Sequence, residues 1–303
     1  MEMGQITEVL DNIISSTENT ERLYKIFESI GNNELPIIKI QMDKGHPLIR
    51  QRINNKGEDF TKISDLYCPP AHCLKEYGRA NIPYKPMFYA CCFSMDSTAY
   101  IPRMITLMET SSFLRNKESS GIERATFSKW CTNSKLELLV LPFSKHYKKA
   151  CKDIIYIQEL WKSQIEKQKT NEKAKELIDY MSNEISKHFS SSNEYFKIAN
   201  FINYLLYINE ETKKADGIIY PSVYAEGNGF NIAIKKESAD KKLDFIGASK
   251  CYLIKRKDIS WIITANHSST EISDGILTYI PKEYSKEEFL EIKSLTQGLD
   301  FIN

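Results

Sequence analysis

Residues 213–234 read KKADGIIYPSVYAEGNGFNIAI, a β-type apolar run broken by Pro221-Ser222 and then by a glycine-rich turn with two asparagines. Such a break exposes backbone and small polar groups where a buried strand would hide them. Upstream, Arg50 and Arg52 alternate within LIRQRI. In a strand they share one face, and two guanidinium groups without nearby acids repel one another. Either an anion relieves that repulsion or both side chains face water from an edge strand. Arg79 sits in YGRANIPYKPMFYACC, on a turn with Gly78, Asn81, Pro83 and Pro86 that leads into a strand carrying Phe88 and Tyr89. An arginine on a rigid turn beside a strand-borne tyrosine could form a pocket for phosphate and an aromatic ring. The same residues also read as a packed tyrosine core with a surface arginine.

Other constellations point to less. Ser222 is not in a G-x-S-x-G elbow, and His46, His72, His146, His188 and His267 show no spacing that selects one as its base, which argues against a serine hydrolase. The seven cysteines form no CxxC pair, so reduced thiols are expected. Cys68 and Cys73 lie near His72, but a second ligand pair at metal spacing is missing, and no metal is expected. Cys91-Cys92 reads as core rather than nucleophile. The KRK run at 255–257, near Trp261, reads as a solvated strand end, and nucleic acid is not an expected partner.

The elements that must position these residues follow from periodicity. Residues 5–30 carry apolar positions at helical spacing (Ile6, Val9, Leu10, Ile13, then Leu23, Ile26, Phe27, Ile30), predicting an N-terminal helical segment over 1–36. From Pro36 short β-type runs take over: PIIKIQM, LIRQRI, MFYACCF, RATFSKW and LELLVLPF. Between the third and fourth, IPRMITLMETSSFL predicts a helix with Pro102 in its first turn. Residues 145–210 are Lys/Glu-rich with apolar residues three and four apart, predicting two or three helices with a solvated charged face. The β pattern returns in GIIYPSV, FNIAIKK, CYLIKRK, SWIITANHS and GILTYI, and SKEEFLEIKSL closes the chain as a helix. The predicted class is α+β: a β core over 37–303, preceded by helices and split by a helical insertion at about 145–210.

Composition bounds the function. With 303 residues, 42% hydrophobic and 27% charged, the chain can bury a sizeable core. Lys+Arg at 41 against Asp+Glu at 40 gives a net charge of +1, so any charged partner must be met locally. No stretch approaches the ~18 apolar residues of a membrane span, and the start is acidic and amphipathic. A soluble, cytoplasmic protein is expected.

Taken together, HPLIRQRI, YGRANIPYKPMFYA, an acidic residue on the following helix and DGIIYPSVYAEGNGFNIAI resemble the RES-domain family, named for an Arg, a Glu and a Ser in that order. The resemblance covers roughly residues 37–144 and 211–265. It implies an ADP-ribosyltransferase-like β core of the diphtheria-toxin type. It also implies a toxin activity that consumes NAD as substrate and is neutralised by a cognate antitoxin or regulatory protein. By position, the family arginine falls on Arg50, the glycine-arginine turn on Gly78 and Arg79, the aromatic on Tyr89 and the serine on Ser222. The glutamate falls on Glu109, with Glu118 and Glu123 as the other acids nearby. Asn231 joins the expected nucleotide-binding set, with a structural role as its other reading.

The chemistry implied is cleavage of the nicotinamide–ribose bond. Positive charge then develops at the anomeric carbon, and a carboxylate, here Glu109, stabilises it. Arg50 and Arg79 would hold the pyrophosphate. Tyr89 would lie against the nicotinamide, and the Ser222 hydroxyl would point into the cleft to orient the leaving group. The EGNGFN turn would bring the chain back close to the ligand, or be a plain hairpin turn. Hydrolysis or phosphorolysis leads; transfer of ADP-ribose to a macromolecule and a non-catalytic nucleotide- or partner-binding module are the alternatives. A homo-oligomer is left open, and a partner is expected to dock on 1–36 and 145–210.

Overall fold

The computed structural model describes residues 5–31, 35–94, 96–97, 99–141, 147, 151–168, 171–257 and 259–302, the side chains of 5, 167–168, 259–266 and 270–272 excepted. His146, the end of the LELLVLPF run and the Trp261 side chain lie outside the described residues.

The architecture is α+β. One mixed sheet contains β1 (Ile38–Met42), β2 (Pro47–Ile53), β3 (Met87–Cys92), β4 (Gly121–Thr132), β5 (Leu136–Val140), β6 (Gly217–Pro221), β7 (Phe230–Lys235), β8 (Leu243–Arg256), β9 (Ile259–Ser273) and β10 (Ile276–Pro281). Their order is β1-β5-β6-β7-β3-β2-β4-β8-β9-β10. β5 and β6 are parallel, and every other neighbouring pair is antiparallel. β6 and β7 are buried at every position, as their nearly unbroken apolar sequences require.

Parallel neighbours need a crossover, and the Lys/Glu-rich stretch supplies it. Between β5 and β6 run α5 (Lys152–Gln168), α6 (Glu172–Ile185) and α7 (Phe196–Tyr207). Their apolar stripes are consumed inside the molecule: Leu177, Ile178 and Met181 of α6 and Phe201 and Leu205 of α7 are fully buried. The N-terminal helices α1 (Gln5–Asp11) and α2 (Thr17–Gly31) pack on α6 and α7. Phe27 meets Phe201 at 5.1 Å between ring centroids, and the Trp161 indole donates to the Pro36 carbonyl at 2.7 Å. N-terminal helices, crossover and sheet therefore share one hydrophobic core.

On β2, β3 and β7 lies α3 (Pro102–Thr110), with Pro102 in its first turn as the sequence predicts. It stops at Ser111, whose side chain accepts from the Leu114 amide and starts α4 (Ser112–Arg115). A smaller cluster that includes Ile49, Leu107 and Phe127 fixes this pair to the sheet.

Three expectations need correction. β2 lies between β3 and β4, so Arg50 and Arg52 are not on an edge strand. After Lys235 the chain forms α8 (Lys236–Lys242), and β8 already begins at Leu243. Lys255 in the KRK run is only 8% exposed and donates to the carbonyls of Phe113 and Leu114 at the end of α4, at 3.3 and 3.2 Å, so that run is not simply a solvated strand end. The closing helix α9 (Lys286–Thr296) starts with the capping box of Ser285 and Glu288. Among the described residues no helix is long and apolar enough to cross a membrane.

Candidate functional site

The break after β6 is a closed loop. The Ser222 amide donates to the Gly229 carbonyl at 2.8 Å and the Gly227 amide to the Ser222 carbonyl at 3.0 Å, with Gly227 at φ +77° where the chain reverses. A Cβ at Gly229 would lie 2.1 Å from Ile105 Cδ1, so glycine lets α3 settle directly on the loop. The Tyr100 amide adds a 2.8 Å bond to the Asn228 carbonyl. These contacts set the last turn of α3, and with it Glu109, over Ser222.

Three donors converge on Glu109 Oε1: the Ser222 hydroxyl at 2.6 Å, the Asn231 side-chain amide at 3.0 Å and the Tyr224 backbone amide at 3.4 Å. The Ser222 hydroxyl in turn accepts from the Ala225 amide at 3.2 Å. Asn231 Oδ1 accepts from the Cys91 thiol at 3.0 Å, which commits its NH2 to Glu109. Arg115 donates to the Met108 and Glu109 carbonyls, holding the C-terminal end of α3.

Glu109 and Asn231 line a cavity of about 380 Å³ together with Arg50, Arg79 and Tyr89. Its size lies within the range of small-molecule sites. The β2–β3 ladder covers only Leu48↔Cys92 and Ile49↔Cys91, although β2 continues along β4 and β3 along β7. Beyond Ile49, Arg50 uses its guanidinium instead, donating to the Tyr89 carbonyl at 2.8 Å and the Tyr67 carbonyl at 3.2 Å. Burial lowers its pKa to about 10, which leaves it charged at neutral pH. Arg52 goes elsewhere, to the Asp65 carbonyl at 2.5 Å and Glu58 at 3.3 Å.

Arg79 is 7% exposed, which excludes the surface arginine. It donates to the Ile185 and Lys187 carbonyls at 2.5 and 3.0 Å, at the end of α6, and stands 5.2 Å from the Tyr195 ring centroid. The crossover therefore builds part of the site. The Tyr89 hydroxyl donates to Asn81 Oδ1 at 2.8 Å and accepts from the Ala80 amide at 3.0 Å, which fastens the GRAN turn to β3. Gly78 is required there, since a Cβ would fall 2.3 Å from Asn81 Oδ1.

Two expectations about this region change. Ser222 is fully buried and does not line the cavity; its hydroxyl points to Glu109 rather than into the cleft. Gly227, Asn228 and Gly229 do not line it either, and their work is to seat α3. Of the other acids, Glu118 is exposed and 3.6 Å from Lys257, and Glu123 is buried against the Ser111 hydroxyl at 2.6 Å. Neither lines the cavity.

Sequence reasoning missed Gln51, Arg115, Tyr195, Tyr220 and Tyr224, all of which line the cavity. Tyr220 and Tyr224 flank Pro221-Ser222-Val223 in the sequence, so their closeness to Ser222 was a usable signal. Tyr195 comes from the crossover and had none. Arg115 stacks on Tyr224, 4.2 Å from its centroid. Three lining arginines thus face one lining carboxylate, and among the described residues none of Arg50, Arg79 and Arg115 has a carboxylate within 4.0 Å. Such a site has unspent positive charge for an anion.

Cys91 also lines the cavity, but burial and then the Glu109 carboxylate push its thiol well up, so it is a donor and not a nucleophile. All seven cysteines are free, and among the described residues no group of three His, Cys, Asp or Glu side chains could hold a metal ion. No protein-family model matches the chain, and no curated protein matches it.

Proposed function

We propose that the protein is an NAD-consuming enzyme of ADP-ribosyltransferase-like architecture, cleaving the nicotinamide–ribose bond. The observation that supports this reading is the gathering of Arg50, Arg79 and Glu109 around one cavity, although they come from β2, a turn and α3. In this reading the pyrophosphate takes the arginines, whose charge no carboxylate among the described residues neutralises. The nicotinamide lies among the tyrosine rings, and the ribose sits at Glu109.

Glu109 is suited to stabilising a developing cation. Its Oε1 is fixed by three donors, while among the described residues no donor reaches Oε2, so one oxygen is anchored and one is left for the substrate. An anchored carboxylate needs no reorganisation as charge develops at the anomeric carbon. Ser222 and Asn231 act through Glu109 as positioning residues. A cognate antitoxin is the partner this reading carries, because an unrestrained NAD-consuming enzyme would arrest its own host.

The test incubates purified protein with NAD and follows free nicotinamide and protein-bound ADP-ribose separately. The expected result is nicotinamide release without label on protein, with turnover strongly reduced but still measurable in Glu109→Gln. Label on protein would make the activity a transfer. Neither release nor thermal stabilisation by NAD would leave a module that does not act on NAD and overturn the proposal.

A further inference from the structure

Two amides line the cavity, Gln51 at 4% exposure and Asn231 at 6%. In both, a side chain from a neighbouring element holds the carbonyl oxygen: the Cys91 thiol for Asn231 and the Thr110 hydroxyl for Gln51. That leaves each NH2 as the outward group. The NH2 of Asn231 meets Glu109 at 3.0 Å, whereas Gln51 Nε2 is buried without an acceptor. The preceding residue of β2 is in the same condition. Arg50 satisfies both terminal nitrogens on backbone carbonyls, but its Nε is buried and unmet.

Nearly all buried donors in folded proteins are paired, and each exception calls for an account. Here two unmet donors are adjacent on one strand, at a cavity whose arginines already outnumber its carboxylates. Packing alone gives no reason for glutamine at position 51, since an apolar side chain of the same length would fill the space without stranding an NH2. An acceptor oxygen arriving with a ligand would meet the Gln51 NH2 once the amide turns into the cavity it lines.

We infer that Gln51 is a ligand-contacting residue, whose side-chain amide turns onto an oxygen of the phosphate–ribose portion of the ligand beside Arg50. The ligand's identity rests on the NAD reading above. Arg50 contributes charge that any anion would feel. Gln51 contributes a neutral donor of fixed direction, held by Thr110 from the turn that carries Glu109, and so ties recognition of the ligand to the position of the carboxylate.

The experiment titrates wild-type protein, Gln51→Met and Gln51→Glu with ADP-ribose by calorimetry and measures the Tm of each ligand-free protein. Thr110 keeps a partner in every variant, because its hydroxyl also lies 2.7 Å from the Thr106 carbonyl. Gln51→Met is expected to bind ADP-ribose about three- to tenfold more weakly, the value of one neutral hydrogen bond, with a Tm no lower than wild type. Gln51→Glu, which sets a carboxylate against the anion, is expected to bind more weakly still. Affinity within about twofold of wild type in Gln51→Met, or a lower Tm at unchanged affinity, would make the amide a packing element and overturn the inference. Should Gln51→Met fail to fold, Gln51→Asn withdraws the amide by one methylene and carries the same expectation and the same refutation. Wild-type protein that binds neither ADP-ribose nor NAD would remove the NAD reading and this assignment with it. Wild-type binding with unaffected variants would remove this assignment alone.

Discussion

Replacing Ser222 by alanine removes a hydroxyl that donates to Glu109 Oε1 at 2.6 Å and accepts from the Ala225 amide at 3.2 Å, at a position with no exposure and no place on the cavity wall. If the serine works only through Glu109, substrate affinity should survive and turnover should not. A hydrogen bond to a charged group contributes about 1.5–3 kcal/mol, so losing all of it from the transition state slows turnover about 10- to 150-fold. The Asn231 and Tyr224 donors remain, at 3.0 and 3.4 Å, and pull the result toward the lower end. KM should stay within about twofold, because the arginines that line the cavity are untouched. In a Glu109→Gln background the same change removes only a neutral bond of about 0.5–1.5 kcal/mol, so the double-mutant cycle should show a coupling of about 1–1.5 kcal/mol. The assay is nicotinamide release from NAD over a substrate series for all four proteins. Stability needs its own measurement, since Ser222→Ala also strands the Ala225 amide inside the loop, at a cost of about 1–3 kcal/mol. Unchanged turnover, equal losses in both backgrounds, or a loss confined to KM would refute the positioning role.

Two further outcomes follow from burial. Burial pushes the Glu123 carboxyl up from its ordinary value of 4.5, so the protonated form is the one the fold favours; its contribution is complete below about pH 4.5 and is lost as pH rises through the raised value. Glu123→Gln, which stays neutral, should therefore gain stability relative to wild type between pH 4 and 7 in denaturant titrations, and a flat or falling difference would contradict the burial argument. Among the thiols, Cys73 is exposed and Cys131 half-buried, while the other five are buried, with Cys92 pushed up to about 12 by desolvation. A thiol-specific chromogenic reagent should accordingly label Cys73 rapidly, Cys131 slowly and the rest only after unfolding; fast labelling of Cys91 would show that the cavity wall opens.

Much of the fold was legible because its signals are local. Alternation and continuous apolar runs marked the strands, Pro102 marked the start of α3, and the SKEEFLEIKSL run marked α9. The α+β class follows from those elements in order. Strand adjacency is not local. LIRQRI reads as an edge strand with two solvated arginines or as a strand whose arginines meet an anion, and only its pairing with β3 on one side and β4 on the other excludes the edge. The Lys/Glu-rich stretch was legible as helices, yet its role as the crossover depends on β5 and β6 lying parallel, which neither strand encodes alone.

The site divides along the same line. Residue type determined what each side chain can offer: guanidinium groups for an anion, a lone carboxylate on its helix, a hydroxyl after a strand-ending proline. The resemblance to RES-domain proteins put Arg50, Arg79, Tyr89, Glu109, Ser222 and Asn231 into one hypothesis. Where those groups point is a property of the packed whole. Glycine at 229 lets α3 rest on the hairpin loop, which turns the Ser222 hydroxyl onto Glu109 and away from the cavity. Tyr195, and the carbonyls that hold Arg79, arrive from a crossover more than a hundred residues further along the chain. Sequence spacing carries geometry only within one helix or one strand, where the backbone repeat is fixed. Between elements, distance and direction are set by how side-chain volumes and unmet hydrogen-bonding groups fit together, and that fit exists only once the chain has folded.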